Sequence, residues 1–207
     1  MRVIRSRDCL AEGAAHLAAV EPRFALILPD LQDIPLRLKP DGFGALLGAI
    51  VSQQVSVASA SAIMGRLELA GMTDPKLVAL ATPEELRALG LSGQKARYVK
   101  ALAAADLDYP GLRALPTPEV IARLTALTGI GVWTAEIYAM FCLGRADVFA
   151  PGDLALQEAA RLIFDLPARP RDKALRAMAE PWAPWRSVAA RVMWAYYAKD
   201  KQREGIR

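Results

Sequence analysis

Leu124-Thr125-Ala126-Leu127-Thr128-Gly129-Ile130-Gly131-Val132-Trp133-Thr134-Ala135 is the most informative run of this chain. A helical pattern enters it and another leaves, and two glycines one residue apart allow a turn too tight for ordinary side chains. The departing helix would start at the turn with its partial positive end and its first amides exposed, a setting that suits a phosphate oxygen. Taken alone, the glycines fit a plain helical hairpin better than any special function.

Working outward, the departing segment Val132 to Leu143 carries Trp133, Ile137, Tyr138, Met140 and Phe141 with Glu136 as its only charge, which predicts a helix buried almost all round. Upstream, Phe43, Leu46, Leu47, Ile50 and Val51 recur at the spacing of one buried helical face. Thr82-Pro83-Glu84-Glu85 supplies an N-cap, a first-turn proline and a glutamate at the third position, with Gly90 placed to stop that helix. Thr117-Pro118 starts another in the same manner, and Ser92 is a candidate cap for an amphipathic helix over residues 91–105. Period-two alternation is missing, and prolines rather than flexible linkers separate the segments, so the reading is all-α.

Composition narrows the chemistry. The 207 residues are 54% hydrophobic and 23% charged, ordinary for a globular chain with a sizeable core. Cys9 and Cys142 are the only cysteines and His16 the only histidine, which excludes a disulfide framework, a four-cysteine iron–sulfur cluster and a Cys/His zinc site, and makes Ser-His-Asp catalysis a poor fit. The apolar run Phe43 to Val51 falls far short of the roughly 20 residues a membrane span needs, and the basic N-terminus leads into no signal-type apolar region. A cytoplasmic protein, nucleoid-associated if bacterial, is the expectation. The net charge of +4 is unevenly placed: residues 165–207 hold 10 Lys or Arg against 5 Asp or Glu. That surplus leans towards a polyanionic partner.

Beyond the hairpin, Asp147-Val148-Phe149-Ala150-Pro151-Gly152-Asp153 leads into a helix with Leu156, Ala159, Leu162 and Ile163 facing inward and Gln157, Glu158, Arg161 and Asp165 on its polar face. Asp153 stands at its N-terminus, 20 residues after Trp133. In isolation it reads as an N-cap, worth about 1 kcal/mol.

Together the hairpin and Asp153 resemble the helix-hairpin-helix, Gly-Pro-Asp superfamily of DNA base-excision glycosylases. Gly129-Ile130-Gly131 with Trp133-Thr134-Ala135, Asp147-Val148-Phe149 before Pro151, Trp182-Ala183-Pro184-Trp185-Arg186-Ser187, Ser52-Gln53-Gln54-Val55-Ser56 and Gly90-Leu91-Ser92 with Lys95-Ala96 look like its DNA-3-methyladenine glycosylase II family, in the family's order over about residues 10–200. The resemblance implies an all-α, two-lobed fold with the active site in the cleft between lobes. Residues 1–207 would form one unit, with approximate lobes of 43–145 and of 1–42 plus 146–207, a short form without the extra N-terminal domain of longer members.

The same resemblance implies roles. Asp153 would be the catalytic carboxylate, stabilising oxocarbenium-like charge on the deoxyribose and orienting water. Gly129, Ile130, Gly131 and Thr134, with Gln53 and Gln54, would contact double-stranded DNA, and Gln54 would fill the gap left by a flipped base. Trp133, Ile137 and Trp194 would line the base pocket, the tryptophans stacking on a cationic alkylated base. Ordinary core packing stays open for both tryptophans, as does a helix-terminal role for Gln54, while Trp182 and Trp185 read as core and Arg186 as structural or phosphate-binding.

Trp133 stands where strand-cleaving relatives have a lysine and cannot form a Schiff base, so base removal without strand cleavage is expected. Ile137 departs from the tyrosine of the best-known relatives. The expected activity is release of alkylated purines of the 3-methyladenine and 7-methylguanine type, leaving an abasic site, by a monomer with no cofactor and no resident metal. As in family members, the carbonyls of Thr125, Leu127 and Ile130 could hold a monovalent cation. A non-catalytic helix-hairpin-helix DNA-binding module, and a glycosylase for other damaged or mismatched bases, remain the alternatives.

Overall fold

The computed structural model describes residues 1–204, the side chains of 202–204 excepted. Its helices are α1 (Arg7–Val20), α2 (Pro22–Ile27), α3 (Phe43–Ser52), α4 (Val57–Leu69), α5 (Pro75–Leu80), α6 (Pro83–Ala88), α7 (Gly93–Ala104), α8 (Tyr109–Leu112), α9 (Thr117–Thr125), α10 (Val132–Phe141), α11 (Leu154–Ile163), α12 (Asp172–Met178) and α13 (Arg186–Glu204). Among the described residues there is no strand; Val3 and Arg145 form an isolated bridge. No described helix is long and apolar enough to cross a membrane. The chain divides into two compact units, residues 39–138 and residues 1–38 with 139–207, and α10 runs across the division.

The central unit grows from α3. All five apolar residues of its predicted face are buried, and it packs on α4 and α7. α7 returns Ala96, Val99 and Leu102 to the same core and starts at Ser92, whose hydroxyl accepts the Lys95 amide at 3.2 Å. The Lys95 ammonium donates to the Val51 carbonyl at 2.7 Å, a cation at the negative end of α3. Thr82 and Glu85 form the expected capping box on α6. α9 differs by one position, since it begins at Thr117 itself, with Pro116 as N-cap and no side-chain cap. Proline rather than a hydroxyl sets that start.

The second unit packs α1 against α2 and α13, and α11 against α13 and α12. At Gly13 a Cβ would lie 2.6 Å from Val188 Cγ2, so only glycine lets α1 approach α13 this closely. Trp182 is fully buried, with Phe24, Phe149 and Phe164 ring centroids at 5.1, 5.5 and 5.9 Å. Trp185 is buried as well, so both tryptophans are core. His16 is also structural, its Nε2 lying 3.0 Å from the Ala183 carbonyl.

Two expectations need correcting. α10 is not buried all round: Val132 and Trp133 are 51% and 45% exposed, because the helix starts at the surface and turns inward only from Thr134. On α11, Gln157 lies inside at 9% exposure rather than on a polar face. Its amide donates to the Pro151 carbonyl at 2.8 Å, which offsets the cost of burying it.

Candidate active site

In the central unit the hairpin closes through its own backbone. The Ile130 amide donates to the Leu127 carbonyl at 3.0 Å, and α10's ladder starts with Ala135 donating to Gly131 at 3.0 Å. The amides ahead of that rung lie outside the helical ladder, at the positive end of α10. Gly129 has φ +93, and a Cβ there would lie 2.5 Å from the Tyr98 ring. Nothing lies within 4 Å of where a Cβ on Gly131 would stand, and this residue is exposed. Gly129 is therefore demanded by the fold, whereas Gly131 is a bare surface that a phosphate could approach.

Side chains around the turn hold it rather than extend it. Ile130 is buried, and Thr134 is 6% exposed, so Thr134 faces inward and offers solvent little beyond its backbone. The Gln53 amide donates to the Gly129 carbonyl at 2.9 Å, which ties the C-cap of α3 to the hairpin. Gln54 follows it, exposed and in the left-handed region at φ +55, a conformation costing on the order of 1 kcal/mol that persists where neighbours enforce it. The Leu127 carbonyl already serves Ile130, so a cation there would share that oxygen's second lone pair; neutral carbonyl donors suit a monovalent ion.

Trp133 projects from the first turn of α10 and keeps nearly half its surface open. Ile137, one turn on, is half-buried. Tyr138 does not replace the absent pocket tyrosine. It is buried, and its hydroxyl accepts the Gly42 amide at 3.0 Å.

In the second unit the loop before α11 is pinned from α13. The Ser187 hydroxyl accepts the Val148 amide at 3.3 Å and lies 2.6 and 2.8 Å from the carbonyls of Arg145 and Val148. Arg186 takes both oxygens of Asp147, at 2.6 and 2.8 Å, and these bonds raise its already high pKa, so this arginine is committed to the loop. The loop delivers Asp153 to the N-cap of α11. One oxygen, Oδ1, accepts the amides of Ala155 and Leu156 at 2.9 and 3.0 Å and the Trp194 indole N–H at 3.2 Å. Asp153 and Trp194 are both half-buried, and Trp194 leans on Phe141 with centroids 5.7 Å apart.

Sequence reasoning assigned Trp194 to a base pocket and missed its grip on the carboxylate, as it missed Tyr98 and Phe141. The contact spans 41 residues, and no local signal announces it. Among the described residues no group of three or more His, Cys, Asp or Glu could hold a metal ion.

A helical hairpin whose turn offers backbone amides, with an aspartate heading a later helix, fits the helix-hairpin-helix class of DNA-binding proteins. Residues 47–184 match the model of the HhH-GPD superfamily base excision DNA repair proteins, and the chain belongs to that superfamily. It is 32% identical to DNA-3-methyladenine glycosylase 1 of Schizosaccharomyces pombe over 75% of this chain and 72% of the relative. Among solved structures it is similar to a DNA-3-methyladenine glycosidase of Bacillus halodurans, with TM-score 0.83 and 31% identity, covering 98% of this chain and 95% of that one. It is also similar to a Schizosaccharomyces pombe 3-methyladenine DNA glycosylase in complex with abasic DNA, with TM-score 0.76 and 28% identity, covering 88% and 95%.

Proposed function

We propose that the chain is a monofunctional DNA glycosylase that hydrolyses the N-glycosidic bond of alkylated purines in double-stranded DNA, with Asp153 as the catalytic carboxylate. The observation that carries this reading is the seating of Asp153 Oδ1 by two backbone amides and the Trp194 indole. A carboxylate held by several donors keeps its place while positive charge builds on the deoxyribose, and it needs no reorganisation at the moment of reaction. An alkylated purine is already a good leaving group because it is cationic. The exposed indole of Trp133 has the chemistry to stack on a cationic base, a cation–π contribution of about 0.5–2 kcal/mol.

Gly131 and the amides opening α10 would receive a phosphate, holding DNA without reading its sequence. With tryptophan rather than lysine at position 133, no Schiff base forms there, and the product is an abasic site in an intact strand. The enzyme would work where the DNA lies, in the cytoplasm and with the nucleoid if the cell is bacterial, as a monomer. Methylated DNA supplies the test. The wild-type protein should release 3-methyladenine and 7-methylguanine as free bases. Asp153→Asn should lower the rate at least ~100-fold while still binding abasic-site DNA. Full activity of the Asn variant would overturn the mechanism, and no release by the wild type would leave a binding module.

A further inference from the structure

Arg191 is fully buried, yet among the described residues its hydrogen bonds go only to carbonyls: Ser187 one turn earlier at 2.9 Å, and Met140 and Leu36 each at 3.3 Å. Burial pushes its pKa down to about 10, so at neutral pH it keeps its charge. A cation enclosed without a carboxylate is an expensive way to fill space, and an apolar residue of similar size would fill it more cheaply. What the guanidinium does there is geometric. Its planar fork joins α13 to the end of α10 and to the segment before α3, and its carbon sits 4.6 Å from the centroid of the Phe141 ring.

Trp194 lies three residues further along α13, on the same face, and leans on that same ring at 5.7 Å with a 31° tilt. Its other polar commitment is the N–H bond to Asp153 Oδ1 at 3.2 Å. Phe141 is thus seated by a buried cation and in turn seats the indole that holds the carboxylate. We propose that Arg191 and Phe141 are positioning residues, fixing Trp194 and through it Asp153 in working orientation. The proposal rests on the reading of Asp153 as the catalytic group.

The test measures two quantities on each variant: the rate constant for 7-methylguanine release with enzyme in excess over DNA, and the Kd for abasic-site DNA. Phe141→Leu removes the ring but keeps the site apolar; it should slow base release ~10-fold while Kd stays within about twofold. Arg191→Lys keeps the charge but loses the fork, and should slow release about fivefold. Trp194→Phe keeps an aromatic ring without the N–H. Because the groups act in series, the double variant Phe141→Leu/Trp194→Phe should be no slower than Trp194→Phe alone.

An effect on packing alone would lower the melting temperature and shift Kd together with the rate. A wild-type rate in Phe141→Leu, or a double variant whose loss is the product of the two singles, overturns the proposal. If Arg191→Lys fails to fold, Phe141→Leu still decides the matter. An inactive Asp153→Asn beside an unimpaired Phe141→Leu refutes this inference alone, whereas a fully active Asp153→Asn refutes the reading on which it rests.

Discussion

At the hairpin turn, Gly131 and the start of α10 present peptide backbone beside the exposed Val132 and Trp133, and side chains such as Gln53 and Tyr98 stand behind it as supports. At the head of α11 the arrangement is reversed. The proposed working group is a side chain, Asp153, and backbone amides of Ala155 and Leu156 stand behind it. Both are helix N-termini and both favour negative charge, but one presents donors to an incoming anion while the other already holds its own. A site made of backbone should tolerate substitution wherever no Cβ intrudes. A site made from one carboxylate should fail when a single atom changes.

The largest effect follows from that difference. Asp153→Ala and Asp153→Asn should both lose base release at least ~100-fold, but only alanine removes the cap, at about 1 kcal/mol of stability. Melting curves beside base-release assays separate the two duties. Equal stability losses in the pair would mean that Asp153 Oδ1 is not the capping atom.

Next comes the glycine pair. Gly129→Ala forces a Cβ against Tyr98 at a positive φ and should cost about 3 kcal/mol of stability. Gly131→Ala meets open space and should cost no more than about 1 kcal/mol. It should nonetheless weaken binding to undamaged DNA by about 10-fold, or ~1.4 kcal/mol, as the methyl group occupies the approach to the amides. Binding unchanged in Gly131→Ala would remove the turn from the DNA-binding surface.

The two regions were also unequally legible. The hairpin announces itself within a dozen residues, because a residue at positive φ and a bare approach surface both select glycine, and the caps at Ser92 and Thr82 are equally local. Read locally, Asp153 is one more cap, and only the resemblance gave it a catalytic role. Its supports, Trp194, Phe141 and Arg191, come from other helices, and neither an indole bond spanning 41 residues nor a carbonyl bond spanning 51 leaves a periodic trace. Gln157 shows the same limit: spacing placed it on the polar face of α11, and only the fold reveals the Pro151 carbonyl that takes it inward. The exposed first turn of α10 was missed for the opposite reason, since Val132 and Trp133 are apolar at the surface, where pattern reading expects core.

The smallest effect tests whether the hairpin's supports matter as much as its backbone. Gln53→Met keeps the length of the side chain but withdraws the amide donated to the Gly129 carbonyl. A partly buried carbonyl left without that partner costs about 1 kcal/mol. If the bond orients the turn, the loss should appear as a fivefold weaker affinity for undamaged DNA, roughly that same 1 kcal/mol. Base release at saturating enzyme should stay at the wild-type rate, because Gln53 acts on the turn proposed to hold DNA and not on Asp153. Faster hydrogen exchange at the Gly131 and Val132 amides of the DNA-free protein would place the effect in the turn itself. Unchanged exchange with weakened binding would make Gln53 a direct DNA contact, and the hairpin would then rely on side chains as much as the head of α11 does.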